Sequence, residues 1–323
     1  MQHDAALARP PTVSVILPTY NRSHCLGDAM ASVLSQSWKA LELIVVDDAS
    51  REDVEPIVRG FNDPRVRFTR REKNGGAGAA RNSGIAIARG SFIAFHDSDD
   101  LWLPGKLERQ MGLLAELGPD YGVVTGPKIL YGRDEKFNFG KGKAAVAPDP
   151  ATRLTPGGNT FQHLLMDNRI SLQNTLFRRN CYPGDVWFDP LVRANEDWEF
   201  AVRLARHTDI YEDSEPVVLG FMSTDSISHN KRRECTGIVR ILKKNKDRLA
   251  LYPHQHASLR LDLAHYMFKF GKHRRSLGFL VSAYRLYPRS ISMLGFMVRR
   301  WAVTRLSNGW RAMASPRSRT GQT

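Results

Sequence analysis

Between residues 13 and 97, short continuous apolar runs alternate with segments whose apolar positions recur every three or four residues. VSVILP (13–18) has the length and composition of a buried strand. SHCLGDAMASVLSQS (23–37) puts Leu26, Met30, Val33 and Leu34 on one helical face, with Ser23 as the expected N-cap. LELIVVDDAS (41–50), RVRFT (65–69) and SFIAFHD (91–97) predict three more strands. NGGAGAARNSGIAIARG (74–90) opens with glycines and continues as a helix that stops at Gly90. Strands alternating with helices predict an α/β fold: a mostly parallel sheet flanked by helices on both faces. In such sheets a ligand sits outside the carboxyl ends of the strands.

The middle of the chain is less regular. PGKLERQMGLLAEL (104–117), NTFQHLLMDN (159–168) and NEDWEFAVRLARH (195–207) have helical spacing, with Asn195 as a candidate N-cap. YGVVTGPKILY (121–131) reads as strands, and FNFGKGKAAVAPDPATRLTPGG (137–158) as a mobile Gly/Pro/Lys-rich loop. Beyond residue 230 only helical patterns remain. One is a hairpin over 257–288 turning near Gly271; another is a helix over 293–313 with Leu294, Val298, Ala302, Leu306 and Trp310 at helical spacing.

Charge sharpens that division. The 323 residues carry a net +14. Residues 231–323 hold 21 of the 47 Lys/Arg and 3 of the 33 Asp/Glu, so this segment carries +18 and the rest −4. Two regions with different partners are expected, 1–230 and 231–323. Cys25, Cys181 and Cys235 show neither metal spacing nor a disulfide framework, which suits a reducing cytoplasm. No apolar run reaches bilayer-spanning length, and the N-terminus does not read as a signal peptide.

Polar clusters close the predicted strands: PTYNR (18–22), VDDAS (46–50) and HDSDD (96–100). Asp97, Asp99 and Asp100 fall within four residues, a spacing at which like charges repel. A hard cation shared with substrate phosphates would relieve that repulsion. Asn21 and Ser50 read equally as turn formers. NGGAGAARNSG lacks the spacing of a dinucleotide fingerprint and the lysine of a phosphate loop.

In order and spacing, PTYNR, VVDDAS, NGGAGAARNSG, HDSDD and NEDWEFAVRLA resemble the family 2 glycosyltransferases of GT-A fold, over roughly residues 12–225. The resemblance implies an inverting, non-processive transfer from a nucleoside-diphosphate sugar, with a divalent metal, Mn²⁺ or Mg²⁺. It implies Pro18, Thr19, Tyr20 and Asp48 (or its neighbour Asp47) at the nucleotide, Asp97 at the ribose or donor sugar, and Asp99 with Asp97 at the metal. Arg81 either reaches the nucleotide or pairs with the acidic cluster, and His229 is either near the metal or structural. Asp197 is the implied catalytic base, with Glu196 positioning it or touching the acceptor. The processive members' Gln-x-x-Arg-Trp signature is absent. The implied acceptor is a glycan or lipid-linked intermediate of surface polysaccharide assembly. The basic C-terminal helices either meet an anionic membrane surface, making the protein peripheral at the inner face of the cell membrane, or pack on the catalytic domain. Nucleic acid has no motif to support it. The competing functions are a sugar nucleotidyltransferase, which would carry a Gly-rich basic loop after the first strand, and a non-catalytic nucleotide-sugar binder on the same scaffold.

Overall fold

The computed structural model describes residues 12–133, 141–222, 231–288 and 295. They form strands β1 (Val13–Thr19), β2 (Leu41–Asp47), β3 (Val66–Arg70), β4 (Phe92–Phe95), β5 (Leu101–Trp102), β6 (Tyr121–Thr125), β7 (Lys128–Gly132), β8 (Ala144–Ala147), β9 (Leu176–Arg178), β10 (Asp209–Glu212) and β11 (Val218–Met222). The helices are α1 (Ser23–Leu34), α2 (Glu55–Gly60), α3 (Ala77–Ile87), α4 (Lys106–Leu117), α5 (Thr160–Leu164), α6 (Glu196–Leu204), α7 (Lys231–Lys244), α8 (Lys246–Leu249), α9 (Pro253–Lys269) and α10 (His273–Leu286).

The main sheet has seven strands in the order β10-β6-β9-β4-β1-β2-β3. β1, β2, β3 and β4 run parallel, as their apolar runs predict, and β1 and β2 are buried at every position. β9 enters antiparallel between β4 and β6. Pro18 stands in this central strand without costing a hydrogen bond to β4, because the β1–β4 ladder ends at Ile16 and Phe95. Helix α3 lies close on β1: a Cβ at Gly84 would collide with the Ile16 side chain.

Three expectations change in detail. Arg22 occupies the N-cap position of α1 while Ser23 lies inside the helix, its hydroxyl bonded to Glu52. The loop expected at 137–158 contains β8, which pairs antiparallel with β7 in a second, four-stranded sheet ordered β5-β11-β7-β8. The first compact unit extends to Asn245, so α7, expected with the basic tail, belongs to the unit that holds the main sheet.

The second unit begins at Lys246. Its α9 and α10 form the expected hairpin, with Gly271 at φ +71° in the turn. Ala257, Leu261 and Ala283 form its small core, with Leu280, Leu286 and Tyr287 against it. His229 and the face residues of the expected helix, Leu294, Val298, Ala302, Leu306 and Trp310, lie outside the described residues.

Candidate functional site

Each polar cluster sits just past the end of a strand, and side chains tie the clusters to one another. Asn21 and Ala49 have φ of 51° and 62°, left-handed values uncommon for residues other than glycine. The two bends are laced together: Asn21 N–H donates to Ser50 Oγ at 2.9 Å, and Arg51 N–H donates to Asn21 Oδ1 at 2.8 Å. Asn21 and Ser50 therefore shape these loops. The Asp48 carboxylate accepts the backbone N–H groups of Gly75 at 3.0 Å and Gly76 at 2.7 Å, and it pairs with Arg71. It thereby fixes the glycine turn that leads into α3. Asp47 caps the same bend through the Ser50 N–H at 3.0 Å and meets Arg70. Thr19 is buried with an unpartnered Oγ1 at the end of β1, and Tyr20 beside it is exposed.

The HDSDD turn separates its three carboxylates by orientation. Asp97 and Asp99 are 28% and 41% exposed at the side chain, whereas Asp100 is buried. Asp100 accepts Gln173 Nε2 at 3.0 Å and the Phe221 N–H at 3.2 Å, so it joins the turn to β11. Burial, and then the neighbouring Asp97 charge, push the Asp100 carboxyl up to about 7. Arg22 of the PTYNR loop reaches Asp99, 3.8 Å away. His96, for which the sequence offers no role, is fully buried; its Nε2 is 3.3 Å from Ser32 Oγ and its ring packs on Trp102.

Arg81 joins the acidic turn to the NED segment. From the second turn of α3 it donates Nη2–H to Asp97 Oδ1 at 2.8 Å and Nη1–H to Glu196 Oε1 at 2.9 Å. Its side chain is 6% exposed. Burial works against the charge, but Asp97 and Glu196 together hold the guanidinium pKa above its ordinary value. Of the two sequence readings for Arg81, ion pairing with the acidic cluster is the one present here.

Glu196 and Asp197 open α6 directly after Asn195, which has φ 58°. Asn and Asp tolerate this conformation better than other non-glycine residues. Asp197 is partly buried, and its Oδ1 accepts the Trp198 N–H at 2.7 Å. Burial, reinforced by the Glu196 charge, pushes its carboxyl up to about 6; Arg81 and a hydrogen bond from Asn168 act in the opposite direction. Such a carboxylate is ionised at neutral pH and more basic than an ordinary aspartate. Behind it, Glu199 is fully buried and takes Arg203 Nε–H at 2.8 Å and Lys244 Nζ at 3.0 Å. Lys244 also meets Asp189 at 2.7 Å. Helix α7 approaches the NED turn where it has no side chain: a Cβ at Gly237 would stand 2.8 Å from the Asn195 Cβ.

Four segments thus form a closed circuit, through Asn21–Ser50, Asp48–Gly76, Arg81–Asp97 and Arg22–Asp99, and Arg81–Glu196 attaches the NED segment to it. Arg22, Arg71, Asn168 and Gly237 were not identified from sequence. Arg22 lies within PTYNR and Arg71 three residues before NGGAGAARNSG, while Asn168 and Gly237 carry no local signal. Among the described residues, no group of three or more His, Cys, Asp or Glu side chains is arranged to hold a metal. Two partly exposed carboxylates on one tight turn, with Asp100 N–H closing on Asp97 O at 3.2 Å, still suit a hard cation that takes its other ligands from phosphates and water.

Comparisons with known proteins bear on the family and the fold. Residues 14–165 match the model of the family described as glycosyl transferase family 2. The chain is 34% identical over 189 residues to Escherichia coli WfgD, a UDP-Glc:alpha-D-GlcNAc-diphosphoundecaprenol beta-1,3-glucosyltransferase, covering 51% of this chain and 74% of that one. It is 39% identical over 197 residues to the succinoglycan biosynthesis protein ExoO of Rhizobium meliloti (strain 1021), covering 60% of this chain and 55% of that one. In fold it is similar to the mannosyltransferase PcManGT from Pyrobaculum calidifontis, solved with GDP-Man and Mn²⁺: TM-score 0.57, 18% identity, 95% of this chain and 84% of that one.

Proposed function

Because the chain belongs to glycosyl transferase family 2, we propose that it is an inverting, metal-dependent enzyme that moves a sugar from a nucleoside diphosphate to a glycan or lipid-linked acceptor in surface polysaccharide assembly. The observation that carries this reading is the Arg81 bridge, which holds Asp97 of the acidic turn and Glu196 of the NED segment on one guanidinium. A donor platform and a base must lie within one sugar's reach of each other, and the bridge provides that proximity.

In this reading Thr19, Tyr20 and the Asp48-fixed glycine turn form the nucleotide side of the crevice. Asp97 and Asp99 would hold the divalent cation, with Asp97 also facing the donor sugar. A bound cation supplies charge compensation for the leaving diphosphate. Asp197 removes the proton from the acceptor hydroxyl as that oxygen attacks the anomeric carbon opposite the diphosphate, so one base suffices and the configuration inverts. Glu196, held by Arg81, keeps the first turn of α6 in place beside it. Relatives that act as glycosyltransferases support this reading over the nucleotidyltransferase one.

The test is thermal stabilisation by UDP-, GDP- and dTDP-sugars, each with and without Mn²⁺, on the wild type and Asp99→Ala. Ligands that bind only the folded state raise Tm by mass action. One nucleotide class is expected to raise Tm in a manner requiring both Mn²⁺ and Asp99. UDP-glucose is the first to try, because the relative from Escherichia coli carries that donor in its name. A normally folded protein that answers to no donor would reject the transferase reading.

A further inference from the structure

The outward face of α10 in the second unit has no partner among the described residues and does not resemble an ordinary solvent face. Leu277, Val281 and Tyr284 are 61%, 42% and 45% exposed. Their spacing of four and three places them in one stripe along the helix. The opposite face is already used: Ser276 donates to Ala264 O at 2.7 Å, and Ala283 and Leu280 pack against α9. Exposed Arg274 and Arg285 stand near the two ends of the stripe, both on the same side of it. At its start Gly271, Lys272, His273, Arg274 and Arg275 line an open concavity. Over residues 246–288 there are 8 Lys/Arg against 2 Asp/Glu.

An apolar stripe bordered by arginines has a specific use. Apolar side chains enter the boundary between headgroups and acyl chains, while arginines extend to lipid phosphates. We propose that α10 docks this face on an anionic bilayer surface, laying Leu277, Val281 and Tyr284 among the headgroups and using Arg274 and Arg285 for acidic lipids. A second copy is a poor occupant, because a twofold contact would bring the same positive charge against itself. Nucleic acid is a poor one because the centre of the face is apolar. The proposal deepens the reading of a lipid-linked acceptor and rests on it for its purpose, since docking would hold the enzyme at the membrane that carries such an acceptor.

The experiment is sedimentation of the full-length protein with vesicles of phosphatidylcholine alone or with about one third phosphatidylglycerol, over a salt series. It compares the wild type with Leu277→Asp/Val281→Asp and with Arg274→Gln/Arg285→Gln. The expected result is binding to the anionic vesicles only, weakened by salt, and weakened about tenfold or more by either pair of substitutions. Donor hydrolysis in solution, with Tm, is followed in parallel and is expected to stay unchanged in both variants. Equal binding to both vesicle types, no binding at low salt, or binding indifferent to both variants would overturn the proposal. So would light scattering that shows a dimer lost in the Leu277→Asp/Val281→Asp variant. Donor hydrolysis without vesicle binding would reject the docking and spare the transferase reading. Vesicle binding without donor hydrolysis would do the reverse.

Discussion

Arg81 is buried between two carboxylates, and its Nε has no partner. Removing such a cation leaves acid groups facing each other without compensation. Arg81→Ala is therefore expected to destabilise the protein by about 3 kcal/mol, read from urea unfolding, and to abolish transfer. Arg81→Lys keeps the charge but not the fork that serves two acceptors, so it should recover stability in part and activity far less. Asp197→Asn is expected to lower kcat by about a hundred- to ten-thousandfold with Tm little changed. Because burial raises the Asp197 carboxyl to about 6, the base is protonated below that pH and ionised above it. Log kcat should thus rise with pH up to about 6 and then flatten. The limb belongs to the Glu196–Asp197 pair and disappears in Asp197→Asn. These acidic residues were legible because their chemistry is local to short motifs. The partners were not: Asn168 and Arg71 matter only because the fold brings them to Asp197 and Asp48.

At the scale of elements, α7 bears on the NED turn through Gly237, Lys244 and the buried Glu199. Gly237→Ala gains helix propensity of about 1 kcal/mol and loses about 1–3 kcal/mol to overpacking against Asn195. Stability should change by less than about 2 kcal/mol, but the turn that carries Glu196 and Asp197 must shift. The expected outcome in steady-state kinetics is a lower kcat with an unchanged KM for the donor. Sequence periodicity found the long helices and the four parallel strands, since each is long enough to repeat its pattern. It missed β8, an AAVA segment that alternates weakly, and it left β9 unspecified, since three residues carry no period. The place of α7 was hidden by its charge: lysine and arginine counts put it with the tail, whereas Lys244 spends its charge on Asp189 and Glu199.

At the scale of the whole molecule, the family match ends at residue 165, but the main sheet does not. β9 and β10, at residues 176–178 and 209–212, supply the neighbours of β4 and β6. A fragment covering residues 12–165 would leave β4 with an open edge and β6 without a strand on either side. It is expected to express as insoluble protein, while residues 12–245 give a cooperative thermal transition. The antiparallel entry of β9 also has a consequence during synthesis. β4 leaves the ribosome long before the strand that covers its edge has been made. At about 5–20 residues per second, the wait for Arg178, the end of β9, lasts on the order of ten seconds. Through that interval the growing chain presents a sticky half-sheet to the cell, and whatever shields nascent chains there becomes a factor in how much enzyme is made.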